Sequence, residues 1–164
     1  MTPVRWLAAA VIVASLALLA YHHVGTYHAA RLVRQAALTE DPEARLAFLA
    51  RAIEARPELA NALRLVGGRA VYVDWQRLSA GQRQAALGMA ERWLLDAIEA
   101  EPENWRYYDT LARVWLTAAP RDVTAHRLAR RAVDEAVRLA PDRPEPQQTQ
   151  QVLEALIIRY GSRP

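Results

Sequence analysis

The chain is predicted to be all-α: one N-terminal transmembrane helix, then a superhelix of helical hairpins that ends in a capping helix. Three observations carry this. The 164 residues are 52% hydrophobic, rich in alanine and leucine with a single phenylalanine, and Ala, Leu, Arg and Glu lose least on entering a helix. Three segments close alike on a proline: RLAFLARAIEARP (45–57), AERWLLDAIEAEP (90–102) and ARRAVDEAVRLAP (129–141). Finally, Trp105, Tyr108, Ala112 and Trp115 recur at i, i+3, i+7 and i+10, one stripe of a helix.

Taken in order, residues 4–38 are expected to form the first helix, with Gly25 as its weak point. Its apolar run, Trp6 to Tyr21, follows one arginine and precedes a histidine-rich stretch. A run this short is near the lower limit for a bilayer span and also fits the apolar part of a signal peptide. Leu18-Leu19-Ala20 is a poor cleavage site; Ser15-Leu16-Ala17 is acceptable but leaves a very short apolar core. Trp6 and Tyr27 lie ~30 Å apart along a helix, which would put an aromatic ring in each interface. Residues 1–27 are therefore read as an uncleaved anchor and as the contact with lipid (residues 4–27). A short tail ahead of such an anchor stays in the cytoplasm, which places the remainder on the other side. Arginine replaces lysine throughout, a codon bias of GC-rich genomes. The setting expected is thus the inner membrane of a bacterium, with the hairpins on its non-cytoplasmic face.

Further helices are expected near 42–55, 58–73, 80–100, 104–118, 121–140 and 146–160. Asp41, Ser79, Asn104 and Asp122 supply side-chain acceptors for the free N–H groups at helix starts. Aligned on their prolines, the three similar segments carry Leu49, Leu94 and Val133 eight positions back and Ala52, Ala97 and Ala136 five back. Small residues let helices approach, the aliphatic residue fills the space between them, and proline ends the helix. Arg45, where the other copies have Ala90 and Ala129, departs from the pattern. In the last helix Val152, Leu156 and Ile157 form an apolar stripe opposite glutamines, as a capping helix requires.

This pattern resembles the tetratricopeptide repeat, over roughly residues 28–160, with residues 161–164 as a tail. The proline spacings, 45 and 39 residues, exceed the family period of about 34; the additions fall in VYVDWQRLSAGQRQ and LTAAPRDVTAH. The resemblance implies a concave face lined by the first helix of each unit. Carried onto this chain, that face holds Asn61, Arg64 and Gly68, then Arg106, Asp109 and Arg113. Such a face would grip a carboxylate or acidic peptide; the alternative is an ordinary solvated surface. On the same reading Trp105, Tyr108 and Trp115 face inward. Trp75, which precedes a loop, is either an exposed interface anchor or a plug between hairpins.

Other classes of function find little support. With no cysteine, disulfides and thiolate chemistry are excluded. Formal charge is only +3 and acids are interleaved with the arginines, so no nucleic-acid partner is expected. Nucleophile, phosphate-loop and metalloprotease motifs are missing. His22, His23 and His28 do not come together on one helix face, and His126 stands alone. No enzyme activity, cofactor or metal is expected. The functional expectation is a membrane-anchored scaffold for another protein. Its alternative is a permanent accessory or assembly subunit of a membrane complex, for energy transduction, secretion or envelope polysaccharide export.

Overall fold

The computed structural model describes residues 26–160. Seven helices and no strand occur among the described residues: α1 (26–38), α2 (Pro42–Ala55), α3 (Ala60–Asp74), α4 (Ala80–Ala100), α5 (Trp105–Ala118), α6 (Val123–Leu139) and α7 (Pro144–Tyr160). The all-α expectation holds, and the helix bounds differ from the expected ones by two residues or fewer, the expected start of the first helix lying outside the described residues. The expected anchor, apart from its last two residues, lies outside the described residues, as does the tail at 161–164. Among the described residues no helix is long and apolar enough to cross a membrane.

Local sequence accounts for the helix ends. Asp41, Ser79, Asn104 and Asp122 each accept a backbone N–H from their own helix's first turn, and Ser79 with Gln82 completes a capping box. The second helices α2, α4 and α6 end in one repeated conformation. Arg56, Glu101 and Ala140 have φ/ψ of −142°/80°, −138°/72° and −145°/66°, and their N–H groups donate to Ala52, Ala97 and Ala136 carbonyls. Each of these residues precedes a proline, whose ring pushes it out of the helical region. The proline thus both stops the helix and sets the chain's exit.

Three hairpins, α1–α2, α3–α4 and α5–α6, stack in chain order with α7 on the end. The first helices α3, α5 and α7 touch in succession, while α2, α4 and α6 each pack on the first helix of the next unit. The repeated positions are the core: Ala52, Ala97 and Ala136 are fully buried, as are Leu94 and Val133, with Leu49 at 2%. Gly67 and Gly68 explain the closeness of α3 and α4. A Cβ on Gly67 would lie 2.4 Å from the Trp93 ring, and one on Gly68 2.8 Å from Leu94 Cδ1.

Arg45 now has a reason to depart from its alanine counterparts. Its Nε donates to the Ala36 carbonyl (3.2 Å) and Nη2 to that of Thr39 (2.8 Å), closing the end of α1. Its Nη1 pairs with buried Asp74 at the end of α3. One arginine therefore ties three helices together.

The structure chooses between the two roles open to Trp75 and shifts one expectation about α5. Trp75 is 8% exposed, in a 3-10 turn between α3 and α4, and its ring belongs to the largest core cluster. Arg83 covers it at 5.8 Å and donates to its carbonyl. The extra residues between α3 and α4 open a gap at the hairpin's end, and the ring plugs it rather than anchoring a partner. On α5, Tyr107 is the deeply buried ring (3%), aligned with Leu111 and Val114; of the expected stripe, Ala112 is fully buried and Trp115 packs inward on two core clusters, while Trp105 and Tyr108 are half-buried. Helix α5 has neighbours on several sides, so its best-buried face is set by α3 and α4 together. In α7, likewise, Leu153 is the core residue and Val152 is half exposed, one position away from the expected stripe.

Candidate functional site

The first helices enclose a cleft of about 250 Å³, lined by Tyr72 of α3, Arg113, Leu116 and Thr117 of α5, and Gln148, Thr149 and Val152 of α7. That volume is below the roughly 300–1,000 Å³ of small-molecule pockets. It suits one or two side chains of a bound segment. Leu116, Val152 and the Tyr72 ring offer apolar surface, while Thr117, Gln148 and Arg113 offer hydrogen bonds at its edge.

The cleft's third wall depends on a polar lock. Asp109, 5% exposed, accepts the Thr149 hydroxyl at 2.5 Å and the Arg113 Nε at 2.9 Å. Arg113 Nη2 also donates to the Glu145 carbonyl, 3.1 Å away, at the start of α7. Buried charge requires such partners, and here they clamp α7 to α5.

The residues expected to share a concave face fall into two separate pairs, Arg64 donating to Asn61 at 3.1 Å and Arg113 to Asp109, rather than one open surface. Asn61 donates to Glu101 at 2.8 Å, and Arg64 pairs with Asp96 at 3.2 Å, contacts that join α3 to α4 and its end. Gly68 is covered by Leu94. Arg106 is exposed and stacked on Trp105 at 4.9 Å, beside a shallow surface hollow formed by residues 101–106. Asp109 faces inward to the lock, and of the set only Arg113 lines the cleft. Polar side chains that the repeat resemblance assigns to a groove found partners within the chain, because partly buried donors and acceptors must be satisfied.

Sequence reading missed Tyr72, Leu116, Thr117, Gln148, Thr149 and Val152. A signal existed in α7, where Thr149 and Pro146 interrupt an otherwise exposed polar stretch and both are buried. The Thr149 partner, Asp109, lies 40 residues away, beyond any local pattern.

Glu101 is a second junction. Its carboxylate accepts Asn61, Tyr107 and Asn104, and these hydrogen bonds, Asn61's foremost, hold its pKa below the ordinary 4.5. Tyr107 is pushed from 10.0 up to about 12, first by burial and then by its bond to Glu101. The native state therefore keeps a proton that the unfolded chain releases, so stability falls as pH climbs from 10.0 toward about 12. At the acid end, the stabilisation from ionised Glu101 is lost as pH falls through its lowered folded value. Alkaline thermal melts check this: Tyr107→Phe is expected to flatten the alkaline decline while starting from a lower melting temperature.

Histidine has no shared role among the described residues. His28 is exposed, and His126 is buried with Nε2 2.9 Å from the Pro120 carbonyl; no group of three His, Cys, Asp or Glu residues there could hold a metal ion. No protein-family model, curated protein or solved structure matches the chain.

Proposed function

We propose that the chain is a non-catalytic, membrane-anchored scaffold of tetratricopeptide-like hairpins that holds a segment of another protein against its concave face. The cleft across α3, α5 and α7 carries this reading. It joins apolar lining to hydrogen-bonding edges, is too small for a drug-sized ligand, and lies along three successive first helices. Residues 4–27 supply the tether, in a bacterial inner membrane with the hairpins on the non-cytoplasmic side. A tether raises the effective concentration of the scaffold beside membrane partners.

A permanent subunit of a larger membrane complex is the second reading. Val66 and Val73, 48% and 66% exposed on α3, favour it, since a constant partner would cover them. Gentle extraction and native mass measurement distinguish the two: a stoichiometric assembly supports the subunit, a free monomer the scaffold.

The cleft itself is tested by filling it. Thr117→Trp is expected to abolish co-purification of partners from native membranes, while Glu99→Trp, at an exposed site on α4, leaves it intact. Equal recovery with both variants would sink the reading.

A further inference from the structure

The outer face of α6 carries a concentration of positive charge that the fold does not neutralise. Arg127, Arg130 and Arg131 are all exposed, and among the described residues none has a hydrogen-bond, ion-pair or ring partner. The nearby acids are largely committed. Asp122 caps the helix through the Thr124 N–H at 2.7 Å, and Glu135 is held by Arg138 at 2.6 and 2.8 Å. Asp134 alone remains on that face, one turn from Arg130 and Arg131.

This arrangement is unfavourable by itself. Arg127 repels Arg130 and Arg131 at i+3 and i+4. The other second helices differ: α2 exposes Arg51 with Glu54, and α4 exposes Arg92 with Asp96 and Glu99. Two more arginines sit just before α6 and at the end of α7. Arg121 and Arg159, both exposed, lie 5.5 and 5.4 Å from the centroid of the Tyr160 ring.

We propose that this face docks on the anionic lipid headgroups of a bilayer. Arginine serves protein interfaces too, but there it surrounds or joins a packed centre of rings and aliphatic side chains, and the one large exposed hydrophobic on the α6 face is Val123. Diffuse headgroup charge needs only cations and suits a straight stripe of arginines. Contact here lays the third hairpin along the membrane and leaves the cleft's lining residues, which come from α3, α5 and α7, uninvolved. The inference does not rest on a partner occupying the cleft.

The chain has no cysteine, so Thr124→Cys in the full-length protein accepts a single fluorophore on the exposed face. The labelled protein is mixed with phosphatidylcholine vesicles, with or without phosphatidylglycerol, that carry a headgroup quencher. Co-sedimentation reports the N-terminal segment; quenching of the label reports the α6 face. Quenching is expected with the anionic vesicles alone, and to weaken as salt rises. Each arginine contributes about five-fold to headgroup affinity, so Arg127→Ala with Arg131→Ala should weaken the contact on the order of 25-fold. Both positions are exposed, and an unchanged thermal melt confirms that the double variant folds. Equal quenching on both vesicles, or an undiminished signal in the double variant, overturns the proposal. So does a change in the label's emission that appears with an added acidic protein and with neither kind of vesicle.

Discussion

Leu94→Ala is expected to cost about 2–5 kcal/mol, the range for truncating a buried leucine and leaving a cavity. Leu94 is completely buried in the largest core cluster, against Gly68 of α3. Gly68→Val alone should also destabilise, by about 1–3 kcal/mol, because overpacking forces neighbours from their rotamers. Its Cβ would stand 2.8 Å from Leu94 Cδ1, and the gain in helix propensity is smaller than that clash. Combined, the two changes should cost less than their sum, since the valine enters space vacated by the leucine. Urea unfolding of the two singles and the double gives the coupling, expected in the 0.5–3 kcal/mol range for residues in contact, order of magnitude. Strict additivity would mean that α3 and α4 do not meet through this pair.

Asp109→Ala is expected to cost about 2–3 kcal/mol. Removing one member of a buried charge pair typically costs about 3–5 kcal/mol, reduced here because the Arg113 side chain is 31% exposed and can turn to water. The Thr149 hydroxyl retains a second acceptor, the Glu145 carbonyl at 3.1 Å, and this too tempers the loss. The effect should be local as well as global. Amide exchange in α7 should speed up more than exchange in α3, because Asp109 is what Thr149 and Arg113 use to hold α7 on α5. Asp109→Asn keeps an acceptor for Thr149 and should cost less. Uniform acceleration across all helices would show that α7 is held by apolar packing alone.

Much of this architecture is written locally in the chain. Asp41, Ser79, Asn104 and Asp122 mark helix starts because a side-chain acceptor satisfies the N–H groups next to it. Arg56, Glu101 and Ala140 mark ends because the following proline forbids the helical region to each. Ala52, Ala97 and Ala136 reveal the stacking because a repeated contact needs a repeated small residue. The binding face was less legible for the opposite reason. Whether Arg64 points to solvent or to Asp96, and whether Asp109 faces a groove or Thr149, depends on how two helices rotate against each other. Spacing along one helix names a face but not its neighbour. Trp75 shows the same limit, since a large ring ahead of a loop reads equally as an anchor or a plug until the gap it fills is known. The arginines of α6 lie between these cases: their crowding is plain in the sequence, but their lack of partners emerges only from the fold.

The central claim is that partners meet the α3–α5–α7 face and not the outer helices. A photoreactive amino acid in place of Gln148, beside the cleft, is compared in native membranes with one in place of Gln84, exposed on α4. Irradiation is expected to give one discrete cross-linked species from position 148 and none from position 84. Adducts from position 84 alone, or equally from both, would contradict the account.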